Sequence, residues 1–138
     1  MTFTINDLPR TEITERVTGK TVEFAERFGN YLGTDERGTD PRSGRPTTLK
    51  TKLTTNQLRK FFGEVKRQQM RSYDETQFVL LKPKLAYAVG RADKKSKISD
   101  FYSFMSGAID VVHDDQTFKN FIMVFEAIVA YHKAAENK

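Results

Sequence analysis

The 138-residue chain contains no cysteine. Disulfides, thiolate metal sites and cysteine nucleophiles are therefore excluded. Histidine is scarce as well, with only His113 and His132. The run "HDD" at 113–115 resembles the core of a metal phosphohydrolase site only superficially, because such a centre needs further His and Asp ligands. Helix capping is the better reading, with Asp115 as the expected cap, since a carboxylate at a helix start accepts from orphan N–H groups. His132 reads as a partly buried residue near a helix end. Phosphate-binding loops of the G-x-x-x-x-G-K-[ST] and G-x-G-x-x-G kinds are missing. Glu23, Glu26 and Glu126 read as solvent-facing or pairing carboxylates. An active site, a metal and a cofactor are therefore not expected. The longest apolar run, "FIMVFEAIVAY", is broken by Glu126 and is too short to span a bilayer. The opening "MTFTINDLPRTEITERV" has no apolar h-region, so no secretory signal is read and a cytoplasmic location is expected.

What the chain does have is positive charge. It carries 23 Lys and Arg against 18 Asp and Glu, a formal net charge of +5. A basic domain favours polyanionic partners such as nucleic acid, an anionic membrane surface or an acidic protein. The apolar share of 38%, with eleven Phe, is enough to supply one core for one domain.

The periodicity predicts an all-α fold, a compact bundle of about five helices in a single domain over 1–138. Residues 1–15 read as a flexible N-terminal arm interrupted by Pro9. A first helix is expected over about 17–32, where Phe24, Ala25, Phe28, Tyr31 and Leu32 recur at helical spacing before Gly33. Residues 33–52, "GTDERGTDPRSGRPTTLKTK", read as a long basic loop, disordered or functional. Thr54 and Gln57 form a capping box, with Leu53 and Leu58 at the staple positions. Leu58, Phe61, Phe62, Val65 and Gln69 then share one face. A third helix is expected over about 77–91, either kinked by Pro83 or shortened so that Pro83 sits in its first turn. Ser99 is the expected N-cap of a fourth helix, whose Phe101, Phe104, Met105, Ala108, Ile109 and Val112 make an amphipathic stripe. The fifth helix, about 116–136, is apolar on most sides and should be central. No segment alternates as a strand does.

The cations are spaced in a pattern. With Leu58 at zero and about 100° per residue, Lys60, Arg67 and Arg71 fall at roughly 180–220°, opposite the core, with Arg59 and Lys66 flanking. This face is either solvated surface or a binding surface. In "LLKPKLAYAVGRADKK" the residues Lys84, Tyr87 and Arg91 stand at i, i+3 and i+7 and share a face. Leu81, Leu85 and Ala88 form another, apolar face. A cation–aromatic–cation stripe suits a nucleic-acid strand, because phosphates attract cations and a ring can stack on an unpaired base. The competing reading is a half-buried Tyr87 among solvated cations.

Three stretches, "TTNQLRKFFGEVKR", "LKPKLAYAVGR" and "FEAIVAYHK", occur in that order in separate helices. Together, over about 48–135, they resemble the small subunit of the type III-A CRISPR effector, the Csm complex. The resemblance implies a mostly helical, non-catalytic subunit. Its copies would form an inner filament with the backbone and large subunits, along a guide RNA–target RNA duplex. It also implies that Arg59, Lys60, Arg67, Lys82, Lys84, Tyr87 and Arg91 are candidate nucleic-acid-binding positions, and Lys52, at the end of the basic loop, is a further candidate. A free-standing single-stranded nucleic-acid binder and a helical protein–protein adaptor are the alternative readings.

Overall fold

The computed structural model describes residues 13–136. In chain order the elements are α1 (Gly19–Leu32), β1 (Arg37–Thr39), β2 (Pro46–Thr48), α2 (Thr55–Arg71), α3 (Glu75–Val79), α4 (Leu81–Arg91), α5 (Ile98–Val111) and α6 (Asp115–Glu136). Five helices of eleven residues or more build the core, so the expected all-α bundle is what forms.

The longest helix, α6, is the axis of the core. Phe121, Val124, Phe125 and Ile128 on it are completely buried. It packs most extensively along α1. Gly29 permits that close approach, since a Cβ there would lie 2.6 Å from Tyr131 Cβ and 2.8 Å from the His132 amide nitrogen. Aromatic rings fill the space between the helices. Phe24 and Phe28 of α1 meet Phe104 of α5, and Phe125 stacks parallel to Phe121 while touching Phe62 and Phe101. The α5 stripe from Phe101 to Val112 is buried as its spacing requires.

The α2 start follows its sequence signal. Thr54 accepts from the Gln57 amide, and the Gln57 side chain accepts from the Thr54 amide. Leu53 and Leu58 are both buried beside this box. One expected face residue is wrong. Gln69 is exposed and Gln68 is buried in its place, donating to the Gln77 carbonyl at 3.0 Å.

Three other local expectations change. The segment expected as one helix over 77–91 is two, α3 and α4, joined at Leu80. Pro83 sits in the first turn of α4, where an N–H would lack an intrahelical partner anyway. Lys97, not Ser99, occupies the N-cap position of α5. Asp114, not Asp115, caps α6, accepting from the Thr117 amide at 2.8 Å. That hydrogen bond, with a second from the Thr117 hydroxyl, holds the Asp114 carboxyl below its usual range.

Two stretches expected to be irregular are tied down. Residues 1–12 of the expected arm lie outside the described residues. Ile13 is buried in the core, and Asn120 Nδ2 donates to the carbonyls of Ile13 and Glu15. The 33–52 stretch, expected as a loop, contains an antiparallel hairpin with Arg37 opposite Thr48 and Thr39 opposite Pro46. Gly44 makes its turn possible at φ +71°, a region that L side chains rarely adopt. Three-residue strands are too short to show alternation, which is why the sequence concealed them.

Candidate nucleic-acid interface

Helices α2 and α4 border a groove of about 570 Å³. Its floor is apolar, with Phe61, Leu81, Ala88 and Ile98. Its rim carries Lys60 from α2 and Lys84, Tyr87 and Arg91 from α4. The i, i+3, i+7 stripe thus borders a concave surface, and Lys60 joins it from the neighbouring helix. Tyr87 is 68% exposed, so the half-buried reading of this ring does not hold. The Arg91 guanidinium lies 5.7 Å from the Tyr87 ring centroid, a cation–π arrangement that orients both groups.

One acid sits among these cations. Glu64 of α2 receives Lys84 Nζ at 3.1 Å and Arg67 at 2.5 Å on its two carboxylate oxygens. The hydrogen bond from Lys84 is the main reason its carboxyl lies below the ordinary value. Partial burial opposes the shift, and Gln68 and Arg67 reinforce it. Glu64 therefore stays ionised at neutral pH and joins α2 to α4. The side chains of Lys84 and Arg67 are more than half exposed, whereas that of Glu64 is 17% exposed, so solvent screens these pairs mainly on the cation side. One of the two cations can turn to a phosphate while the other keeps the Glu64 carboxylate paired.

The remaining candidates are dispersed. Arg67 reaches the groove only through Glu64. Arg59 is exposed on α2 outside the groove. Lys82 turns to the other side of α4 and pairs with Asp110 of α5. Lys52 precedes α2, and its amide donates to Asp35 Oδ1 at 2.9 Å. Lys66 turns away as well, pairing with Glu126 of α6 at 2.9 Å. A second groove, about 780 Å³ between α2 and α6, sets Lys119 against Asp115 and Glu126 and so has no excess of cations.

No local signal marks Lys97 as a buried residue. It is nevertheless only 4% exposed. Its Nζ donates to the carbonyls of Tyr31 at 2.7 Å and Thr34 at 2.6 Å, pairs with Glu36 at 2.8 Å, and lies 4.0 Å from the Tyr31 ring centroid. A cation at the C-terminus of α1 meets the negative end of that helix. His132 is also fully buried, with its Nε2 on the Leu53 carbonyl, whereas His113 is exposed beside Asp114. Among the described residues, no group of three or more His, Asp or Glu could hold a metal ion. Among them, too, no helix is long and apolar enough to cross a membrane.

A family model described as Csm2 Type III-A matches residues 42–138. The chain belongs to the Csm2 family of type III-A. The match covers β2 and every helix from α2 to α6, and so both walls of the groove. Membership makes the chain a small, structural subunit of the type III-A CRISPR effector that associates with the other Csm subunits. No curated protein and no solved structure matches it. Within the Csm2 family match, the groove is where four of the eight candidate positions meet: Lys60, Lys84, Tyr87 and Arg91.

Proposed function

We propose that this chain is a non-catalytic subunit that holds the target RNA strand against the α2–α4 groove of the type III-A effector. Copies of it line an inner filament beside the guide RNA–target RNA duplex, with the backbone and large subunits as partners. A cytoplasmic site of action goes with that assembly. The observation that carries the reading is the groove rim, where Lys60, Lys84 and Arg91 surround an exposed Tyr87.

Each part has a chemical task. The three cations take phosphates of one strand, and Lys84 exchanges Glu64 for a phosphate oxygen. Such contacts fix the strand's path and carry no base information. Tyr87 offers a face on which any base can stack. The apolar floor gives that base a dry side. The non-catalytic part of the reading is supported by the two histidines: one is committed to a backbone carbonyl and the other stands apart on the surface.

The experiment is RNA binding by the variant Lys60→Ala, Lys84→Ala, Arg91→Ala. Affinity should fall for every RNA sequence alike. The slope of log affinity against log salt should flatten by about 0.7 for each single-strand phosphate that is no longer neutralised. Tyr87→Ala should weaken binding by roughly 1–3 kcal/mol with little salt dependence. Unchanged affinity and slope in the triple variant would show that the rim is ordinary solvated surface, and the adaptor reading would then lead.

A further inference from the structure

The β1–β2 hairpin carries exposed cations that no carboxylate among the described residues pairs. Residues 33–52 contain three acids, Asp35, Glu36 and Asp40, and each is engaged within the fold. Asp35 Oδ1 accepts from the amides of Thr51 and Lys52, both at 2.9 Å. Glu36 pairs with the buried Lys97 at 2.8 Å. Asp40 Oδ1 accepts from the Arg42 amide at 2.8 Å and shapes the turn. Arg37, Arg42, Arg45 and Lys50 are exposed, and none forms an ion pair with a carboxylate among the described residues. The groove differs, since its Lys84 already has an acid to leave.

The hairpin is also fixed in place. The Thr51 carbonyl accepts from the Lys97 amide at 2.7 Å, and the Leu49 amide donates to the Glu36 carbonyl at 2.7 Å. The first bond joins the hairpin base to the segment leading into Ile98 at one end of the groove, and the second extends the hairpin ladder. Ile98, next to Lys97, lines that end, as do Asn56 and Gln57 in the first turn of α2.

We propose that the β1–β2 hairpin is a second RNA-binding element, which grips the phosphates of the strand as it leaves the groove. This rests on the reading of the groove as an RNA seat. The chemistry selects backbone over bases, because residues 33–50 include no aromatic side chain to stack on a base. Guanidinium groups offer two parallel N–H donors to a phosphate. A protein partner is the poorer match. Interface centres are enriched in aromatic, Met and Arg residues, and of these the hairpin presents Arg alone, with no apolar anchor beside it. Its exposed surface is Arg, Thr, Ser, Gly and Pro.

The test compares three folded proteins of unchanged melting temperature: the parent, Arg37→Gln/Arg42→Gln/Arg45→Gln, and the groove triple with Gln in place of Lys60, Lys84 and Arg91. Two fluorescent homopolymer RNAs are titrated at several low salt concentrations, one of about 5 nucleotides and one of about 20, bracketing the usual span of a small single-strand site. The hairpin variant should bind the long RNA at least tenfold more weakly, with a salt slope shallower by about 2, for three single-strand phosphates that are no longer neutralised. It should bind the short RNA like the parent. Parent-like binding of the long RNA by the hairpin variant overturns the proposal and leaves the groove reading intact. A groove variant that binds the short RNA like the parent overturns the groove reading, and with it the proposal that the hairpin grips a strand leaving that groove. A parent with the same affinity and slope on both lengths overturns the proposal. So does a hairpin variant that keeps its RNA affinity but no longer enters the effector, since that marks a protein contact.

Discussion

Replacing Lys97 by methionine should destabilise the protein by about 2–4 kcal/mol. The methylene stem keeps its packing in this variant, so the change isolates the ammonium group. That group makes three contacts, to the Tyr31 and Thr34 carbonyls and to Glu36. Hydrogen bonds to a charged donor contribute roughly 1.5–3 kcal/mol each, and an acceptor left buried without a partner costs about 1–3 kcal/mol. Two effects reduce the sum. Thr34 is exposed, so water can reach its carbonyl, and the Tyr31 carbonyl keeps a hydrogen bond from the Thr34 amide. Glu36 adds little, because its side chain is half exposed and solvent screens the pair. Glu36→Gln should therefore cost less than about 1 kcal/mol. Urea unfolding followed by far-UV circular dichroism measures both variants. A Lys97→Met protein as stable as the parent would refute the reasoning. So would a Glu36→Gln effect as large as that of Lys97→Met, which would make the ion pair, not the helix-end carbonyls, the anchor.

Phe125→Ala should cost about 3–5 kcal/mol in the same urea assay, because this fully buried ring touches Phe62, Phe101 and Phe121. Gly29→Ala should lower stability by roughly 1–3 kcal/mol or more, since the added methyl meets α6 at 2.6 Å and the two helices must separate. The pH dependence should carry a Glu64 component. Its folded carboxyl titrates below the ordinary value of 4.5, so its contribution is present above that value and is lost as pH falls through the folded pKa. Glu64→Gln should flatten this acid limb of the stability–pH curve, and an unaltered limb would show that the Lys84 bond does not matter to folding.

The helices were legible because their signals are local and redundant. The Thr54–Gln57 box, the Phe101–Val112 stripe and the all-round apolar α6 each state their own environment. Signals that depend on distant residues were not legible. Lys97 looks like any other lysine after "DKK", and its burial depends on carbonyls more than sixty residues away. His132 is likewise buried by a bond to Leu53, 79 residues earlier. The hairpin was missed because its strands are three residues long and five of their six residues are exposed, so neither alternation nor hydrophobicity marks it. For the interface, the helical wheel predicted which cations point outward from each helix. It could not say that Lys60 would join the α4 stripe while Lys82 and Lys66 turned to Asp110 and Glu126. That sorting depends on which helices are neighbours.

The central claim is that target RNA lies in the α2–α4 groove, and photo-crosslinking tests it most directly. A benzophenone amino acid is placed at Tyr87, on the groove rim, and separately at Met123, exposed in the α2–α6 groove. Each protein is assembled into the effector with guide RNA and labelled target RNA, then irradiated. The account predicts a strong crosslink from position 87 to the target strand and little from position 123. Equal yields at the two positions, or a crosslink from 87 only to protein, would contradict it.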